Sequence, residues 1–208
     1  MIICMSDILC VTNRQLCKTD FLTRMEEIAA CGPAGIILRE KDLPEGEYKI
    51  LAKQVVEICR RYQVPCILHS FVRVALELEA EAIHLPLHLL RSMTAEEKAH
   101  FRVVGASCHS VEDAKEAERL GCTYITAGHV FATDCKKGVP SRGLPFLENV
   151  CKSVVIPVYA IGGIDSQNIE AVRESGAEGA CIMSGLMRCE SPKQYLLEFQ
   201  KEGERSDI

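Results

Sequence analysis

Tryptophan is absent from the 208-residue chain, and aromatic residues make up only 5% of it. That argues against an all-β sandwich, whose core leans on large rings. No apolar run reaches the roughly 18 residues of a membrane-spanning helix. No basic run of five or more appears either, and 24 basic against 29 acidic residues leave a net charge of −5. A nucleic-acid binder gathers positive charge on one face, so that class is excluded. The opening stretch Met1-Ile2-Ile3-Cys4-Met5-Ser6-Asp7 offers no basic region followed by an apolar one and does not read as a signal peptide. Cysteine is the exception to this scarcity. There are 12, yet no two have the C-x-x-C spacing of a zinc or redox site. Cys66 and Cys181 lie inside apolar runs, where a thiol serves as a small core residue. The expectation is a reduced, cytoplasmic protein and not a disulfide framework.

What is present is alternation. Short runs rich in Val, Ile, Leu and Ala predict strands at Ile8–Thr12, Gly35–Leu38, Cys66–Leu68, Ala82–Leu85, Val103–Ala106, Tyr124–Ala127, Pro157–Ile161 and Gly179–Met183. Between them, amphipathic stretches predict helices at Leu22–Ala30, Glu47–Tyr62, Val111–Leu120, Ser166–Ser175 and Pro192–Phe199. Ser110 supplies an N-cap with Glu112 and Asp113 in the first turn, and Asp165-Ser166 offers another. Gly121 and Gly176 stand where a left-handed C-cap needs a residue without Cβ. Continuous apolar strands with helices between them suit a parallel sheet. The fold expected for residues 1–208 is therefore α/β, one (β/α)₈ TIM barrel near the lower size limit of that architecture. An open doubly wound sheet is the alternative, because strand counting alone does not separate the two.

Two small-residue turns follow the last two strands, Gly162-Gly163 and Ser184-Gly185. In a (β/α)₈ barrel these loops lie side by side and, with a short extra helix at 185–188, can aim backbone N–H groups at one anion. At the end of the sixth strand, the stretch 128–143 is a long connection on the face where barrel active sites form. It carries His129, whose ordinary pKa suits proton transfer near neutrality, followed by Cys135, Lys136 and Lys137. Arg39 closes the second strand and Ser107 the fifth, so both are candidate anion contacts at the same mouth. His69 and Ser70 close the third strand and His84 the fourth, with His88 just behind, but no acid accompanies them and no metal site is expected. His109 reads as a helix-start contact and His100 as a solvated helix residue.

The order Val11-Thr12-Asn13-Arg14, Leu38-Arg39-Glu40-Lys41-Asp42-Leu43, Ser107-Cys108-His109-Ser110, Gly128-His129-Val130-Phe131-Ala132-Thr133, Ala160-Ile161-Gly162-Gly163-Ile164 and Met183-Ser184-Gly185 resembles the thiamine phosphate synthase/TenI superfamily over nearly the whole chain. The resemblance implies a (β/α)₈ barrel acting on phosphorylated precursors of thiamine. The synthase branch carries acids after its third and fourth strands to hold Mg²⁺. Here Ser70 and Leu89 take those places, and Gly128–Gly138 is similar to the thiazole tautomerase branch, TenI. That branch implies aromatisation of a carboxy-thiazole phosphate without metal or cofactor, with His129 as general acid/base. A small phosphorylated thiazole would be held by Arg39, Lys41, Ser107, Thr133, Lys136, Gly162, Gly163, Ser184 and Gly185. A Mg²⁺-dependent synthase and a non-catalytic ligand-binding regulator remain as alternatives, and a homodimer stays open.

Overall fold

The computed structural model describes residues 5–133, 136 and 138–200. Eight strands, β1 (Met5–Val11), β2 (Pro33–Leu38), β3 (Cys66–His69), β4 (Ala82–Pro86), β5 (Val103–Cys108), β6 (Tyr124–Gly128), β7 (Val158–Ile161) and β8 (Gly179–Ile182), pair in sequence order. Every pairing is parallel, and β1 also pairs with β8 through Leu9 opposite Cys181. That last pairing closes the barrel and removes the open-sheet alternative.

The helices are α1 (Phe21–Ala29), α2 (Glu45–Arg61), α3 (Val72–Glu77), α4 (Leu87–Ser92), α5 (Ala95–His100), α6 (Val111–Arg119), α7 (Gly143–Ser153), α8 (Ile169–Glu174), α9 (Ser184–Arg188) and α10 (Pro192–Leu197). No described helix is long and apolar enough to cross a membrane. The period of two along each strand sorts side chains onto two faces. Ile8, Ile36, Leu68, Ile83, Ile125, Ala160 and Ile182 face outward and are buried against the helices. Leu9, Val11, Ile37, Ile67, Tyr124 and Cys181 fill the interior. Burial on both faces is why the strands read as near-continuous apolar runs.

The eight expected strands all form, with ends displaced by up to three residues. Ser110 caps α6, its Oγ accepting from the Asp113 N–H at 2.9 Å. Gly121 and Gly176 take φ of +90° and +86°, as their C-cap positions require. Several expectations need correction. The helix expected over 166–175 begins only at Ile169, because the Asp165 carboxylate accepts from Gln167 N and builds a turn ahead of the helix. No ranges were anticipated for helices α3, α4, α5 and α7, although His100, read as a helix residue, does end α5. For α5 the signal was present, since Thr94 and Glu97 form a reciprocal capping box. For α7, a start at Gly143-Leu144-Pro145 with no side-chain cap gives no such signal. His84 does not end its strand. It sits inside β4 with its ring in the barrel, because pairing with β5 runs on to Pro86 opposite Ser107.

One contact sets the layering of the interior. Gly105 pairs with Tyr124 across β5 and β6, and a Cβ at Gly105 would lie 2.2 Å from the Tyr124 ring. The glycine makes room for the phenol to cross the barrel, where it meets the Tyr159 ring edge-on at 5.9 Å between centroids. Above this layer the barrel opens.

Candidate active site

A cavity of about 500 Å³ occupies the C-terminal mouth of the barrel. Its lining includes every site residue expected from the sequence: Arg39, Lys41, Ser107, His129, Thr133, Lys136, Gly162, Gly163, Ser184 and Gly185. Cys135 and Lys137 lie outside the described residues.

On the β1–β2 side, Glu40 is the strut. It is only 2% exposed. Its Oε1 accepts from Thr12 Oγ1 at 2.7 Å and from the Arg14 N–H at 3.0 Å. The Arg14 guanidinium then bridges Glu40 at 3.2 Å and Asp42 at 2.7 Å. With Glu40 turned between the strands, the alternating neighbours Arg39 and Lys41 face the cavity. Desolvation pulls the Lys41 ammonium below its ordinary value, and the charges of Arg39 and Lys136 lower it further. Three cations that repel one another around a cavity make a field that an anion relieves.

On the opposite side, β6 and β7 press together. The Gly128 carbonyl accepts from His109 Nδ1 at 2.8 Å. His129 is buried to 7% exposure, and its Nε2 lies 3.3 Å from the Val139 carbonyl oxygen. A carbonyl only accepts, so this contact selects the Nε2–H tautomer and leaves the lone pair on Nδ1. Gly162 has φ +104°, and a Cβ there would stand 2.3 Å from the Cβ of His129. At Gly163, φ +66°, a Cβ would meet the Ala132 carbonyl oxygen at 2.4 Å, and at Gly185 one would meet the Tyr195 hydroxyl at 2.0 Å. These glycines are therefore required first by neighbouring protein atoms. The first turn of α9 still leaves N–H groups without intrahelical partners beside Ser184 and Gly185.

Between the two sides runs a buried polar chain. His84 Nδ1 is 2.9 Å from the Tyr124 hydroxyl and His84 Nε2 is 2.9 Å from Ser107 Oγ. His69 stacks on His84 with centroids 5.7 Å apart, and its Nδ1 meets Ser70 Oγ at 2.7 Å. His69 and His84 both line the cavity, as residues of the mouth do; sequence reasoning missed Tyr124, whose only signal is Gly105 some twenty positions earlier. Burial pulls His69 down to about 2 and His84 down to about 3, so both are neutral in the fold. In the unfolded chain they titrate near 6.5. Below that pH the unfolded chain takes up protons that the barrel refuses, so acidification destabilises the fold from about pH 6.5 down towards pH 3. Each histidine contributes about 1 kcal/mol per pH unit to that slope. Urea midpoints should fall between pH 7 and pH 5, and a His69→Gln/His84→Gln variant should flatten the fall. An unchanged slope in the variant would place the titrating groups elsewhere.

A magnesium ion, as the synthase branch requires, needs oxygen ligands and usually several carboxylates. Asp113 is the one described carboxylate lining the cavity, and its Oδ2 accepts from the His109 N–H. Ser70 and Leu89 line no part of the cavity, and no described group of three His, Cys, Asp or Glu could hold a metal. The described residues do not fit the ion.

A closed barrel with cations and small-residue loops at its C-terminal mouth defines an anion-collecting (β/α)₈ barrel. A family model described as thiamine monophosphate synthase matches residues 8–186. The chain belongs to that family, within the thiamine phosphate synthase/TenI superfamily. It is 35% identical over 198 residues to thiamine-phosphate synthase 2 of Streptococcus pneumoniae, covering 92% of each chain. It is 32% identical over 195 residues to thiamine-phosphate synthase of Clostridium tetani, covering 91% of each. Among solved structures, thiamine phosphate pyrophosphorylase from Pyrococcus furiosus superposes with a TM-score of 0.80 at 30% identity, covering 94% of both chains.

Proposed function

We propose that this chain binds a phosphorylated thiazole in the barrel mouth and isomerises it by proton transfer at His129. One observation carries the reading: an imidazole stands in a mouth lined by Arg39, Lys41 and Lys136, with no carboxylate set for a divalent ion among the described residues. The Gly162-Gly163 and Ser184-Gly185 loops would hold the phosphate, and the cations and Ser107 would meet the carboxylate. His129 Nδ1 removes the proton from the ring carbon that bears the carboxylate. The electron pair moves into the ring as the exocyclic double bond accepts a proton at its outer carbon, delivered by the same imidazole. No atom is gained or lost, and aromatisation drives the step.

The names of the relatives favour a second reading, the coupling of a pyrimidine pyrophosphate to thiazole phosphate with departure of pyrophosphate. The two separate in one pair of assays. Proton NMR of the non-aromatic carboxy-thiazole phosphate should show isomerisation that persists in EDTA, while the pyrimidine pyrophosphate and thiazole phosphate with Mg²⁺ should give no coupled product. Coupling abolished by EDTA would replace this reading with the synthase, and tight binding without turnover in either assay would make the chain a regulator.

A further inference from the structure

The buried chain from Tyr124 through His84 to Ser107 is more than packing. We propose that Tyr124 and His84 are positioning residues that turn the Ser107 hydroxyl proton into the cavity, as a donor to an anionic oxygen of the ligand. The assignment follows from counting protons. A neutral imidazole has one N–H and one lone pair, so two arrangements satisfy its contacts at 2.9 Å on each side. In one, His84 Nδ1–H donates to Tyr124 and Ser107 donates to Nε2. The phenol proton is then buried with no described acceptor, and leaving a buried donor unmade is costly. In the other, the Tyr124 hydroxyl donates to Nδ1 and Nε2–H donates to Ser107 Oγ. Every interior proton then has an acceptor, and the surplus donor emerges on Ser107, at the cavity wall. Burial keeps His84 neutral and raises the Tyr124 phenol, so neither partner ionises. His69 does not compete, because its Nδ1 is engaged by Ser70.

In a cavity also lined by Arg39 and Lys41, a hydroxyl that donates into it selects an anionic oxygen. The site should therefore prefer a carboxylated thiazole phosphate to its decarboxylated counterpart. This ligand identity rests on the function proposed above, whereas the hydrogen-bond direction does not.

The test uses the full chain labelled with ¹⁵N-histidine, without ligand. The His84 ring should show Nε2 protonated and Nδ1 as a hydrogen-bonded acceptor. Tyr124→Phe, which keeps the ring, should move the Nδ1 resonance to that of a bare acceptor, and Ser107→Ala should leave it in place. A protonated Nδ1 in the wild type, or an Nδ1 resonance that follows Ser107 and ignores Tyr124, overturns the proposal. The wild-type and Ser107→Ala spectra decide it even if Tyr124→Phe does not fold.

Calorimetry with the aromatic carboxy-thiazole phosphate and its decarboxylated form adds a second readout. Ser107→Ala should weaken the carboxylated ligand about tenfold, one charge-assisted hydrogen bond, and leave the other nearly unchanged. Tyr124→Phe should act in the same direction by less, with no further loss in the double variant. Equal losses for both ligands, or losses that multiply, overturn the proposal. Failure of the carboxylated ligand to bind wild type, with the expected nitrogen spectrum, overturns the proposed function and leaves the relay standing.

Discussion

Replacing His129 by Asn is expected to lower isomerisation about 10²–10⁴-fold, the range of a single general acid/base, while affinity for the aromatic product changes little. The reasoning is geometric. Arg39, Lys41 and the N–H groups of the loops after β7 and β8 would grip the charged ends of the ligand from other elements of the mouth, so they survive the substitution. The imidazole has a lone pair to accept one proton and can return it to a second carbon. The expected kinetic signature is a loss in kcat with KM nearly constant, the mark of an interaction made in the transition state. Stopped-assay NMR with calorimetry on the same preparation reads both quantities. Wild-type turnover in His129→Asn would remove the assignment.

A single methyl group should do comparable damage from the neighbouring loop. Gly162→Ala is expected to cut turnover about 10²-fold, as a displacement of about 1 Å at a reacting group can, and to lower the urea midpoint. Two causes act together. Alanine at φ +104° is strained by about 1–3 kcal/mol, and its Cβ would lie 2.3 Å from the Cβ and 2.8 Å from the Cα of His129. A clash with backbone and Cβ is not relieved by rotating a flexible side-chain end. The β6 terminus or the loop after β7 has to shift, and either shift moves the imidazole. Gly46→Ala in α2, where nothing lies within 4 Å of the new Cβ, is the control and should keep full activity. Comparable losses in both variants would show that the effect is not local to the imidazole.

Much of this architecture is written in local pattern. The apolar runs at 35–38, 124–127 and 179–183, the Ser110 cap and the glycines at 121 and 176 act within a few residues of themselves, so they are legible in one dimension. The Gly162-Gly163 and Ser184-Gly185 pairs, His129 on its long connection, and Arg39 at a strand end mark the mouth for the same reason, because strand ends and turns follow from periodicity and breakers. The α7 start was not legible, since Gly143 and Pro145 are the residues that ordinarily interrupt a helix. The turn of Glu40 towards β1 was equally hidden, because Thr12 and Arg14, its partners, stand more than twenty positions away.

By itself, then, the order of residues determined eight strands, the helices after five of them or at the end of the chain, and which loops crowd one rim. Only the tertiary structure decided that β8 returns to β1, that His84 lies within its strand and reaches Tyr124 forty positions onward, and that the rim glycines make way for His129, Ala132 and Tyr195. Propensity and periodicity are short-range preferences, whereas these are steric and hydrogen-bond contacts between distant segments, and such contacts have no expression until the barrel closes.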